Sequence, residues 1–292
     1  MATLFKTQST HHTRGWSLAW LGRLLMLVPE MLLLPLLFGL YLVMNQALIV
    51  AFIGELVFLW FVARTGLIWL ARRAWLVGKY QRAERFAQWS LRLYSSSADA
   101  WAVLSTVQLA RGNVEMAINA AERAIALFPH HASFHLQLSQ ALTANHQWHE
   151  ARHVAMTALS YDDTHSEVHA QIAQLSMLMH EPAHVVQQWV DSGLNLRCDQ
   201  QTQVMLYLAR AEAAAQAQQP RLAHVSLDQI TTFLPDCPIP LRAAALYRIG
   251  RIHQSLKNHD AARHAFEQIE LLDAEGCWLH AAWRAKVETS IA

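Results

Sequence analysis

Two long apolar runs stand near the start of the chain. Residues 24–44 are 21 consecutive positions with a single charge, Glu30, and residues 47–63 form a second run after only Asn45 and Gln46. At about 1.5 Å per residue the first run suffices for a hydrocarbon core of about 30 Å, whereas one straight helix over both runs would be about twice too long. The pattern therefore predicts a transmembrane helical hairpin over 24–63 that turns near Asn45 and Gln46. The first run is too long for a removed leader and has no small-residue cleavage site, so the hairpin is expected to stay attached.

Charge placement orients this hairpin. Lys6, Arg14 and Arg23 precede it, Arg64, Arg72, Arg73, Lys79, Arg82 and Arg85 follow it, and its tip is uncharged, which puts both termini in the cytoplasm. Trp16, Trp20, Trp69 and Trp75 fall where an aromatic belt at that interface is expected. Measured along the helices from the tip, Glu30 lies at about 22 Å, Arg64 at about 28 Å and Glu55 at about 14 Å. Glu30 and Arg64 are thus expected to form an intramembrane ion pair. Glu55, near the middle of the bilayer, needs a proton or a partner, and a contact with another protein's helix is the functional reading.

Downstream the pattern changes to amphipathic helical segments with a 34-residue period. Leu70, Leu104, Leu138 and Ile172 keep that spacing, as do Ala71, Ser105, Ser139 and Ala173, then Ala83, Ala117, Ala151 and Val185, then Ala87, Ala121, Ala155 and Trp189. The registers continue at longer steps in Ala211 with Gly250, Ala223 with Ala262, Leu227 with Phe266 and Ile230 with Ile269. The extra positions are expected in the loops near 195–200 and 235–240, where breakers cluster.

These positions resemble the tetratricopeptide repeat, a helix-turn-helix unit with small residues where its two helices cross. Residues 98–165 carry the resemblance best, with Trp101, Leu104 and Ser105 on a first helix, Gly112 at the turn, Ala117, Ala121 and Ala124 on a second, and Pro129 closing it. The first unit keeps Gly78 and Tyr80 but has Ser95 in place of the closing Pro, and the fourth departs most, with Pro182 and Trp189. The fold class implied is all-α: a cytoplasmic N-terminal segment over 1–23, the hairpin over 24–63, a solenoid of about six units over 64–273, and a C-terminal capping helix over 274–292. No breaker separates the second span from the first repeat, so one continuous helix is expected there, holding the solenoid at a set angle to the bilayer.

Composition narrows the classes. Hydrophobic residues make up 53% and charged residues 15%, with a net charge of +1, which excludes a disordered tail and an electrostatic nucleic-acid binder. Cys198, Cys237 and Cys277 are widely separated and form no C-x-x-C pair, which indicates neither a disulfide framework nor a thiolate metal cage. Among 17 histidines, His149-Glu150-Ala151-Arg152-His153 matches the helical zinc-peptidase pattern H-E-x-x-H. Ala151, however, is locked into the 34-residue register, which assigns His149 and His153 to the outer face of a second helix with no cleft. The pairs His165 with His169 and His180 with His184 have chelating spacing but read as polar helix positions. No metal site, cofactor or catalytic residue is expected.

In a tetratricopeptide solenoid the first helices line the concave wall. The positions expected there are Thr106, Gln140, Gln174 and Arg251, with Asp99, Glu167 and Tyr247 nearby. This lining lacks the Lys, Asn and Arg of a carboxylate clamp, so polar hydrogen bonding and complementarity must carry recognition of a protein partner. The resulting expectation is an integral membrane scaffold, an accessory subunit or assembly factor of a membrane complex, whose partners lie in or beside the bilayer. The competing class is a zinc-dependent membrane peptidase using His149, Glu150 and His153, and a third reading is a homo-oligomer joined through the hairpin and the solenoid's end.

Overall fold

The computed structural model describes Gly39, residues 47–273 and residues 275–291, and the regular elements among them are all helical. The chain divides into two units, Met1–Phe61 and Val62–Ala292. Helix α1 (Ala47–Leu76) is a single run of 30 residues, so no linker interrupts 63–67. The second unit then follows as helix pairs. These are α2 (Tyr80–Leu93) with the end of α1, α3 (Ala98–Ala110) with α4 (Val114–Leu127), and α5 (Ala132–Ala144) with α6 (Trp148–Tyr161). Next come α7 (Ser166–Leu178) with α8 (Ala183–Leu194), α9 (Gln200–Gln216) with α10 (Pro220–Phe233), and α11 (Ile239–Ser255) with α12 (His259–Leu272). Helix α13 (Trp278–Ile291) packs on α12 and α11.

Each pair crosses where its side chains are smallest. Ala71, Ala83, Ala87, Ala117, Ala121, Ala151 and Ala155 are fully buried, which brings the backbones close enough for one helix to bond the other. The Ser105 hydroxyl donates to the Ala117 carbonyl at 2.8 Å, and one repeat further on the Ser139 hydroxyl donates to the Ala151 carbonyl at 2.8 Å. Large side chains fill the layers to the next pair, as Leu136, Ile172 and Leu175 do between α5, α6 and α7.

The turn within each pair is built the same way. Gly78 and Gly112 have φ of +71° and +79°, and His146, His180, Gln218 and Lys257 hold the equivalent place with φ between +54° and +60°. The next amide in each case reaches back to the helix just ended: Lys79 to Ala74 and Asn258 to His253, both at 2.9 Å, are the first and last of the series. This is a Schellman closure, which requires a left-handed residue. The histidines at 146 and 180 thus occupy a backbone position that glycine fills in the first two pairs.

One expectation needs correction. The extra residues of the last pairs lie inside their first helices rather than in the loops: α9 and α11 are 17 residues long against 13 for α3, α5 and α7. Four residues are close to one helical turn, so the added length keeps the buried face in phase. Of the two-span hairpin expected at 24–63, the described residues include only Gly39 and the second run. One stretch among them, Phe52–Leu76, is long and apolar enough to cross a membrane, and it continues past residue 63 because Ile68, Ala71 and Trp75 are apolar in order to pack the first repeat. Residues 24–38 and 40–46, with Glu30 and the expected turn, lie outside the described residues.

The repeat array also returns on itself. The Tyr80 hydroxyl, at the start of α2, donates to the Asp273 carboxylate at 2.9 Å in a buried contact between residues 193 positions apart. The Cys277 amide donates to the Ala110 carbonyl at 3.0 Å, and a side chain at Gly78 would press on Ile239. The first two pairs therefore meet the sixth.

Candidate protein-interaction surface

Thr106, Gln140 and Gln174 stand on α3, α5 and α7 at the 34-residue spacing, and all three are half-buried. Thr106 turns its hydroxyl back to the Val103 carbonyl at 2.8 Å. Gln140 and Gln174 bond no other described side chain. Tyr247 and Arg251, on α11, are engaged differently. The Tyr247 ring lies 5.1 Å from Trp278 and 6.0 Å from Phe266, packed between α12 and α13, whereas Arg251 stays exposed and pairs with Glu288 of α13 at 3.2 Å. Of the residues named for one wall, Tyr247 is thus committed to helix packing and Arg251 to an exposed ion pair.

Beside this wall the N-termini of the first helices form a row that the periodicity implies but that the expected lining does not include. Ser97, His131, His165 and Asp199 are the N-cap residues of α3, α5, α7 and α9, each one repeat from the next. Ser97 and Asp199 accept from the amides of Ala100 and Thr202. His131 stacks on Phe134 at 4.6 Å, and partial burial holds its imidazole below its ordinary range against the pull of Asp99. His165 lies 3.2 Å from the Ser133 hydroxyl. Burial raises the Glu167 carboxyl, and the Asp199 charge adds to the shift while His165 opposes it. Asp99 is instead taken up by Arg72 at 3.3 Å.

The H-E-x-x-H residues sit on α6 with His149, Glu150 and His153 all exposed. Glu150 accepts from the Gln147 amide at 3.3 Å, and no group of three or more potential metal ligands occurs among the described residues. Glu55 is exposed on α1, whereas Arg64 is 5% exposed and places its guanidinium 5.0 Å from the centre of the Tyr94 ring. Its expected partner Glu30 is outside the described residues.

Residues 108–175 and 243–275 each match a family model described as tetratricopeptide repeat. The chain carries tetratricopeptide repeats. Solved structures with a similar backbone are repeat proteins as well. The thermophilic tetratricopeptide protein TTC0263 of Thermus thermophilus is 18% identical over 66% of this chain and 99% of that one, with a TM-score of 0.55. PilW, a type IV pilus biogenesis factor, is 16% identical over 75% of this chain and 98% of that one, with a TM-score of 0.52. The Cut9–Hcn1 hetero-tetramer of the APC/C gives 12% identity over 77% of this chain and a TM-score of 0.57, and this chain spans 46% of that one. At these identities the likeness concerns the fold alone. No curated protein matches the sequence. Tetratricopeptide repeats stack into extended surfaces suited to holding other proteins, and that coarse role follows from the fold.

Proposed function

We propose that this protein is a membrane-anchored scaffold, an accessory subunit or assembly factor that holds a partner beside the bilayer. The anchor is the apolar region 24–63, with both termini and the repeats on the cytoplasmic side. The observation that carries this reading is the surface of α1. Phe52, Leu56, Phe58, Leu59 and Val62 are each at least 46% exposed, and only 6% of the most apolar window in the stretch to Leu76 is buried. A core helix of a soluble protein would bury such residues, since exposing this much apolar surface to water opposes folding. A bilayer removes the penalty.

In this reading Gln140 and Gln174 offer hydrogen bonds on the concave wall, and Glu55 meets a polar group on a partner's transmembrane helix. The experiment is alkaline carbonate extraction of native membranes, followed by purification in mild detergent with mass spectrometry of what accompanies the chain. The protein is expected to resist carbonate, to be released by detergent, and to bring a stoichiometric membrane partner. Glu55→Leu should stay in the membrane and lose that partner at least tenfold. Release by carbonate removes the anchor from the proposal, and a partner-free particle removes the scaffold role.

A further inference from the structure

We infer that the outer face of α13, together with the adjoining side of α12, joins two copies of this chain. Leu279, Trp283 and Val287 recur at every fourth position and form one stripe along α13. A helix that closes a solenoid ordinarily turns a polar face outward. This stripe instead lines a groove of about 670 Å³, with Trp283 61% exposed and Val287 40% exposed. The inner residues of the same helix, Ala282 and Ala285, are buried against α11 and α12. An exposed tryptophan in an apolar groove is the kind of anchor that dominates binding energy at protein interfaces.

The charges around the stripe select the occupant. Arg263 and Glu270, both on α12, line the groove two turns apart, which sets them about 10 Å from each other along one helix face. Lys286, on α13, also lines the groove and is held by Glu267 at 3.1 Å and by Glu270 at 3.8 Å. Arg263 pairs with no acid among the described residues. The groove therefore has the Arg263 cation towards one end of the apolar stripe and, towards the other, the Glu270 carboxylate, which Lys286 holds more loosely than it holds Glu267. A second copy turned by a two-fold axis through the Trp283 region presents this order reversed, so that Arg263 of each copy meets Glu270 of the other while the apolar stripes cover one another. The pattern is its own complement, which is the requirement for an isologous interface.

The test is the mass of the full chain in mild detergent, by sedimentation and light scattering, from about 1 to about 100 µM. The wild-type protein is expected to be a dimer that dissociates on dilution. Trp283→Ala should weaken it about thirtyfold, the fold-change expected of an interface anchor. Because removing a tryptophan can disturb packing, the decisive variants are the exposed charges. Arg263→Glu and Glu270→Arg alone should each weaken the dimer about tenfold, and the two combined should return it to within about threefold of wild type. A chain that stays monomeric over this range overturns the inference. So does a dimer indifferent to all four variants, which would assign association to another part of the chain.

Discussion

The left-handed residue at each inter-helix turn is accommodated differently along the chain. Gly78 and Gly112 adopt it without a Cβ clash, but His146, His180, Gln218 and Lys257 carry a side chain into the same φ, at about 1 kcal/mol each. Lys257→Gly is therefore expected to stabilise the protein by about 1 kcal/mol in urea unfolding, since Lys257 is exposed and no described group depends on its amine. His253 gives a pH dependence. Burial, and then the neighbouring His224, hold its imidazole below the ordinary value. The unfolded chain then binds the proton first on acidification, so stability drops as pH falls through about 6.5 towards the lower folded value. His253→Gln is expected to flatten the fall in melting temperature between about pH 7 and pH 5, measured on the full chain.

Helix pairs obey the 34-residue rule where their crossing residues are small and adapt where they are not. Trp189 stands where alanine stands in the earlier pairs, and it fits because its ring is half-buried 5.9 Å from His169, towards the edge of the crossing. Gly250 does the reverse: a Cβ there would run into the Phe266 ring, so the α11–α12 crossing exchanges a small residue on one helix for a large one on the other. Between pairs, ion pairs join successive layers. Arg111 binds Glu84, Arg152 binds Glu181, and Arg248 grips Glu212 through two contacts at 2.6 and 2.7 Å.

Across the whole repeat unit, the contact of its ends changes how it should unfold. An open solenoid is held by neighbouring layers only and frays from either end. Here Tyr80 bonds Asp273, and burial raises the Asp273 carboxyl while the Tyr80 bond pulls it down. Burial also pushes the Cys277 thiol up to about 11 in the same contact. Tyr80→Phe leaves a buried carboxylate oxygen without its donor, and a loss of about 1–3 kcal/mol is expected. Amide hydrogen exchange should show α2 and residues 273–277 losing protection together, although they are far apart in sequence. Loss confined to α2 would mean that the closure does not link the two ends.

The all-α class and the repeat spacing were legible in the chain's pattern alone. Apolar and small residues at a 34-residue period admit one solution, a stack of helix pairs, because no pair can bury its face alone. The same pattern marked α1 as a helix of membrane length, and it placed His149 and His153 on an outer face through the register of Ala151. Which of these positions are free to act emerges only once the helices are packed. Tyr247 belongs to the expected wall by register, yet α13 packs on it, because its use depends on how far the array curves before its last helix folds back. The Tyr80–Asp273 bond and the Cys277–Ala110 bond depend on the same curvature, a sum of small rotations at every crossing. No local pattern encodes that sum, so the closure of the array and the exposed Trp283 groove became visible only with the helices in place.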